Sequence, residues 1–121
     1  MHETSLVRSL VRQVDQIATD HDANADAVQD ITIEIGPLSG VEPELVRMAY
    51  DQLCYQEPRP PATLTIELSS LQVRCLDCES DTELQDFMFR CGQCHSGRVR
   101  VISGDEFRLL SITFEEGATL A

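Results

Sequence analysis

Cys75-Leu76-Asp77-Cys78 and Cys91-Gly92-Gln93-Cys94, two Cys-x-x-Cys pairs with twelve residues between them, decide how this chain is organised. Each short turn sets two sulfurs on one side of a metal ion, and the segment between is long enough to run out and back as a hairpin. Four soft thiolates in a closed tetrahedron suit a redox-inert d10 ion, so zinc is the expected guest of Cys75, Cys78, Cys91 and Cys94. A rubredoxin-like iron site needs the same four thiolates and stays open at this point. A closed site leaves no position for substrate, which makes it scaffold rather than catalyst.

Other uses of these cysteines explain less. Cys91 to His95 also fits the pattern for covalent haem attachment, but haem there would strand Cys75 and Cys78. A redox pair needs one Cys-x-x-Cys in a βαβ setting, and neither pair has one. The fifth cysteine, Cys54, lies beside Leu53 in an expected helix, where apolar packing is its expected role.

Working outward from the pairs, the flanks read as an α+β unit. Residues 4–20 form an amphipathic pattern with Leu6, Leu10, Val14 and Ile17 on one face, broadened by Val7, Val11 and Ala18. The polar stretch from Asp20 onward ends it, and His21 there is expected to be solvated or to cap the helix. Ile31, Ile33 and Ile35 alternate with Thr32 and Glu34 as a half-buried strand closed by Gly36-Pro37. Glu42-Pro43 opens a second helix with the stripe Leu45, Val46, Ala49, Tyr50 and Leu53, which Pro58, Pro60 and Pro61 stop. Leu64, Ile66 and Leu68 alternate as a strand leading to Val73 and the first cysteine pair. Val99, Val101 and Ile102 give a return strand, and Leu110, Ile112 and Phe114 a last one. The expectation is two helices on one face of a small, about three-stranded sheet built near Ile33, Ile66 and Ile112, with an inserted four-cysteine zinc-ribbon module. The boundaries that follow are 1–70 plus 104–121 for the α+β domain and 71–103 for the zinc-binding domain.

At 121 residues a modest core forms without disulfides. Aromatics make up 5% with no Trp, so Leu, Val and Ile must fill that core. The 21 acidic against 9 basic residues give a formal charge of -12. That field repels phosphate backbones and anionic membrane surfaces, so neither nucleic acid nor membrane is an expected partner. No apolar run reaches the length of a membrane span, and Met1 to Leu10 carries charges where an export signal needs an apolar stretch. The expected compartment is the cytoplasm, where paired cysteines bind metal rather than form disulfides.

His2 is the second unusual feature. A large penultimate residue protects the initiator Met, so the Met1 amine, the His2 amide nitrogen and the His2 imidazole close two fused chelate rings round one ion. The Glu3 amide is a further nitrogen in reach, and such nitrogen-rich, square-planar binding suits Ni(II) or Cu(II). His95, next to the last cysteine, either donates a hydrogen bond near the metal or sits exposed.

Taken together these features resemble the HypA/HybF family of nickel metallochaperones for hydrogenase maturation. The resemblance runs in order through Met1-His2-Glu3, the segment from Ile33 to Glu42, the two cysteine pairs with His95-Ser96, and Gly104 to Ser111. It implies Ni(II) as cargo at the N-terminus, carried by His2 with Glu3 contributing through its backbone, and structural Zn(II) on Cys75, Cys78, Cys91 and Cys94. Glu42 stands where some members place an aspartate near the nickel. The implied partners are a nickel-handling GTPase and the hydrogenase large subunit, with urease maturation also served in some organisms. No Ser/His/Asp arrangement or phosphate-cradling glycine loop is present, so the chain is not expected to be an enzyme. The alternatives are a zinc-ribbon module binding protein or nucleic acid without a nickel function, which the acidic charge opposes, and a small electron carrier with iron or haem.

Overall fold

A computed structural model describes residues 2–21, 27–56 and 62–114. Met1, the end of the polar stretch at 22–24 and the helix-stopping Pro58, Pro60 and Pro61 lie outside the described residues. The order of elements is α1 (His2–Asp20), β1 (Val28–Ile35), α2 (Pro43–Gln56), β2 (Thr63–Leu68), β3 (Leu71–Cys75), β4 (Asp81–Leu84), β5 (Val99–Ser103) and β6 (Phe107–Phe114).

The strands form two sheets. In the first, β1 lies between β2, its parallel neighbour across the α2 crossover, and the antiparallel β6. Ile33 sits opposite Ile66 and Leu109, and Ile31 opposite Leu64 and Ile112, so one face is continuously apolar. Val7, Leu10, Val14 and Ala18 of α1 and Val46 and Tyr50 of α2 cover that face together with Ile31, Ile33, Ile35 and Leu64. Burying each large apolar side chain here contributes roughly 1.5–3 kcal/mol. The expected α+β layering of two helices on a three-stranded sheet is therefore what forms.

Three details of the helices differ from the sequence pattern. The buried stripe of α1 runs 7-10-14-18, with Leu6 and Ile17 only half-buried. Both stripes satisfy helical spacing, and contact with α2 as well as the sheet turns the helix toward the Val7–Ala18 line. Leu45 of α2 is 46% exposed, because Val46 and Tyr50 take the inward positions. The start of α1 also lies earlier than expected, at His2. His21 does cap this helix, its Nδ1 lying 2.9 Å from the Ile17 carbonyl oxygen.

The second sheet has the order β4-β3-β5, all antiparallel, with Val73 opposite Thr82 and Val101. β4 was not legible in advance, since Asp81-Thr82-Glu83-Leu84 has little apolar character and pairs only at an edge.

A tight junction holds the two sheets together. Gly36 N–H donates to the Glu106 carbonyl at 2.7 Å, Leu38 N–H to the Gly104 carbonyl at 2.7 Å, and Ser69 N–H to the Ile35 carbonyl at 3.1 Å. The Glu106 carboxylate accepts the Ser69 hydroxyl at 2.8 Å and the Gly104 N–H at 3.0 Å. Only glycine permits this approach, because a Cβ on Gly36 would lie 2.2 Å from the Gly104 carbonyl oxygen.

Candidate metal centre

Each Cys-x-x-Cys pair closes the same backbone turn. Cys75 N–H donates to the Ser80 carbonyl and Cys91 N–H to the Ser96 carbonyl, both at 2.9 Å. In return Glu79 N–H reaches the Cys75 carbonyl at 3.0 Å and His95 N–H the Cys91 carbonyl at 3.1 Å. Glu79 and His95, the residues just after each pair, hold φ of 64° and 65°. That left-handed backbone costs a non-glycine residue roughly 1–2 kcal/mol, and both turns adopt it where the chain doubles back to bring the Ser80 and Ser96 carbonyls onto the Cys75 and Cys91 N–H groups.

The result is convergence of all four sulfurs. Every one of the Cys75, Cys78, Cys91 and Cys94 Sγ atoms lies within 4.8 Å of the others. Two of the approaches, Cys75 to Cys94 and Cys78 to Cys91, are 3.5 Å and join one pair to the other. A tetrahedral zinc with sulfur at about 2.3 Å needs sulfurs about 3.8 Å apart, so the donor set fits such an ion. All four cysteines are free, Cys75 and Cys91 buried and Cys78 and Cys94 exposed at the rim.

The environment prepares thiolates. Cys75 Sγ accepts the N–H groups of Asp77 at 3.3 Å and Cys78 at 3.4 Å. Cys91 Sγ accepts those of Gln93 and Cys94 at the same two distances. The Cys94 and Gln93 amides lower the Cys91 thiol to about 6, against the opposing effect of burial. Cys75 is lowered likewise, first by the Cys78 amide. For Cys94 the Ser96 N–H pulls the thiol down, but the Cys75 sulfur and burial outweigh it and push it up to about 12. Four thiols crowded without a cation cannot all ionise; a divalent ion among them removes that conflict. The haem-attachment pattern fails on the same geometry, since Cys91 and Cys94 are half of one cluster.

Residues to which the sequence reading gave no structural role clamp the turns. The Asp77 carboxylate accepts the Ser96 hydroxyl at 2.5 Å and the Arg98 guanidinium at 2.6 Å, tying the first turn to the segment between the second turn and β5. Leu76 N–H adds a bond to the Arg98 carbonyl at 2.8 Å. From β4, the Thr82 hydroxyl accepts Gly92 N–H at 3.0 Å. The sequence signal was present but faint, because Asp77 lies inside the first pair and Ser96 shortly follows the second. His95 keeps an exposed side chain.

His2 and Glu3 lie on the other sheet's helix, at the start of α1. The His2 side chain is 62% exposed, with Nδ1 3.7 Å from Glu3 Oε2. Glu3 is only 12% exposed, and its Oε2 accepts the Glu42 N–H at 3.4 Å across thirty-nine residues of sequence. Its own N–H first, and then that of Glu42, hold the Glu3 carboxyl below the usual carboxylate range. The structure thus brings Glu3 to the backbone of Glu42, while the Glu42 side chain is exposed. The cysteines do not join this group.

Among the described residues no helix is long and apolar enough to cross a membrane. The family described as "Hydrogenase/urease nickel incorporation, metallochaperone, hypA" matches residues 1–114. The hydrogenase maturation factor HypA of Shewanella halifaxensis is 34% identical over 116 residues, covering 96% of this chain and 99% of its own. That of Nitrosospira multiformis is 38% identical over 112 residues, covering 93% and 96%. Among solved structures, the nickel metallochaperone HypA from Helicobacter pylori has a TM-score of 0.65 at 25% identity, over 93% of this chain and 97% of that one. With sequence and fold matched along nearly their whole length, the chain belongs to the HypA family of hydrogenase and urease nickel-incorporation metallochaperones, which are not enzymes.

Proposed function

We propose that the chain delivers nickel to a nickel–iron hydrogenase during maturation, taking Ni(II) at its N-terminus on His2 and Glu3 and passing it on with a partner GTPase and the hydrogenase large subunit. In this reading residues 1–70 with 104–121 are the nickel-binding domain and 71–103 the zinc-binding domain, working in the cytoplasm. The observation that carries it is the exposed His2 beside a Glu3 carboxylate anchored to the Glu42 backbone, at the start of a chain whose family is one of nickel incorporation. The first N–H groups of a helix have no backbone acceptor within it, which supports a ligand role for the His2 and Glu3 nitrogens once they have lost their protons. An imidazole at the surface supports capture and release, because an incoming partner reaches it without unfolding anything.

Zn(II) is the guest proposed for Cys75, Cys78, Cys91 and Cys94, where it supplies charge neutralisation and a cross-link between the two turns. The cysteines and their amide donors hold the module's shape and leave the cargo to the other end of the molecule.

The test is a calorimetric nickel titration of the native-terminus protein and His2→Ala, with metal content measured on both. His2→Ala is expected to lose nickel binding and to keep one zinc per chain. Nickel binding also weakens on acidification, because imidazole and amide nitrogens must shed protons to coordinate. If His2→Ala binds nickel as tightly as wild type, the assignment to the terminus is wrong.

A further inference from the structure

The outer edge of β2 is closed at one end and open at the other. The Tyr50 hydroxyl donates to the Ala62 carbonyl at 2.7 Å, and the Arg47 guanidinium to the Leu64 carbonyl at 2.8 Å. Both side chains come from α2 and satisfy groups that point away from β1. Ser69 N–H, in contrast, points inward to the Ile35 carbonyl, so Ile66 and Leu68 share the outward direction of Leu64. Among the described residues nothing bonds the outward N–H and C=O groups of Ile66 and Leu68, since β2 pairs with β1 alone. An exposed sheet edge is a template for another strand, and side chains from α2 cap only half of this one.

An apolar groove runs alongside the open half. It measures about 500 Å³ between α2 and β2 and is lined by Pro43, Arg47, Met48, Asp51, Ile66 and Leu68. Met48 is 64% exposed and Leu68 70%, the most exposed aliphatic side chains among the described residues of the α+β unit. Charge decides what fits. Glu44 and Asp51 border the groove and Glu67 projects to the opposite side of the strand, while Arg47 is already used on Leu64. A second copy of this chain would set Glu67 and the groove carboxylates against their own equivalents, and like charges across a strand pair are destabilising.

The geometry points to strand addition: an extended, basic segment of a partner protein pairs with the Ile66–Leu68 edge, its apolar side chains in the Met48–Leu68 groove and its cations toward Glu67. None of the residues lining the groove is among the proposed metal ligands.

The probe is a short, end-blocked peptide of alternating lysine and valine, titrated into the full chain and followed by amide NMR and hydrogen exchange. Shifts centred on Met48 and Leu68, with new protection of the Ile66 and Leu68 amides, are expected. Leu68→Pro removes one outward N–H that β1 does not use, and weakens binding about tenfold, the scale of a lost hydrogen bond plus its stranded acceptor. Met48→Lys, at an exposed helix position, keeps the fold and weakens binding by repelling the lysines. A glutamate–valine peptide should not bind. Shifts elsewhere, equal binding of the glutamate peptide, or unchanged binding by Met48→Lys would overturn the inference. So would a sedimenting dimer that Leu68→Pro dissolves, because the occupant would then be a second copy.

Discussion

Gly36→Ala tests the junction between the two sheets. The added Cβ would sit 2.2 Å from the Gly104 carbonyl oxygen, 2.3 Å from its carbon and 2.9 Å from the Asp105 nitrogen. All three are backbone atoms, so no side chain can swing aside. The 36–38 segment must retreat by about 1 Å to reach ordinary contact, and overpacking of that kind costs roughly 1–3 kcal/mol. The same retreat stretches the 2.7 Å bonds from Gly36 N–H to Glu106 and from Leu38 N–H to Gly104. Each such bond is worth about 0.5–1.5 kcal/mol net, and partial loss of both brings the expected cost to about 2–4 kcal/mol.

Urea denaturation of the metal-loaded protein is the assay, with far-ultraviolet dichroism for the helices and cobalt absorption for the cysteine cluster after cobalt replaces the native ion. With a slope of roughly 1–3 kcal/mol per molar urea, the helical midpoint should fall by about 1–2 M. The cobalt spectrum before denaturation should not change, because none of the four sulfurs touches the junction. Gly97→Ala is the control, since nothing lies within 4 Å of a Cβ there. A Gly36→Ala midpoint equal to that of the control would refute the close approach on which the expected cost rests.

Other perturbations follow the same logic. Asp77→Ala removes the carboxylate that holds Ser96 and Arg98, so the cluster should surrender its ion faster to a chelator, while helix content is unchanged. Cys78→Ser should unfold the β3–β5 sheet while sparing the helices, with roughly 10 kcal/mol of metal binding at stake. At Glu106 burial pushes the carboxyl up, but the Ser69 hydroxyl and the N–H groups of Glu106 and Gly104 outweigh it and hold it below the usual range. Its contribution to stability is therefore complete above the ordinary carboxylate range and lost as pH falls through its lowered value. Glu106→Gln should flatten that acid limb of a stability-against-pH curve. Ile33→Ala, at a fully buried centre of the core, should cost about 2–5 kcal/mol, and Leu45→Ala far less.

Periodicity carried the first sheet. Ile31, Ile33 and Ile35 alternate because one side of β1 faces the helices, and Ile66 follows the same alternation, whereas in β6 a bulge sets Leu109 rather than the expected Leu110 opposite Ile33 and leaves Leu110 exposed. The cysteine spacing carried the cluster, since two identical turns leave few ways to arrange four sulfurs. What escaped was set by tertiary contact. The polar β4 exists because β3 offers an edge, not because its residues favour strand. Leu45 shares the apolar character of Val46, and only docking on the sheet decides which of them points inward. The Asp77–Ser96–Arg98 clamp joins residues about twenty apart whose types are ordinary at any surface. Glu3 reaches the Glu42 backbone across thirty-nine residues, a contact no local pattern encodes.

The placement of the two proposed metal sites follows from coordination chemistry rather than from space. Four thiolates with their amide donors hold an ion by folding around it, so releasing that ion means undoing the turns at Cys75 and Cys91. A cargo site must do the reverse and give up its ion to a partner at little structural cost. His2, exposed on the first turn of a helix whose packing begins further along at Val7 and Leu10, meets that condition, because no core contact changes when the ion leaves. Glu3 then acts by positioning, since its carboxylate, tied to the Glu42 N–H, keeps the start of α1 against the loop before α2. Severing that tie with Glu3→Ala, which removes the acceptor and keeps the backbone amide, should leave the cysteine-bound metal untouched and slow nickel capture more than it speeds release, since an unanchored end must first find its geometry. Equal on-rates for Glu3→Ala and wild type in stopped-flow nickel binding would show that the tie does not preorganise the terminus.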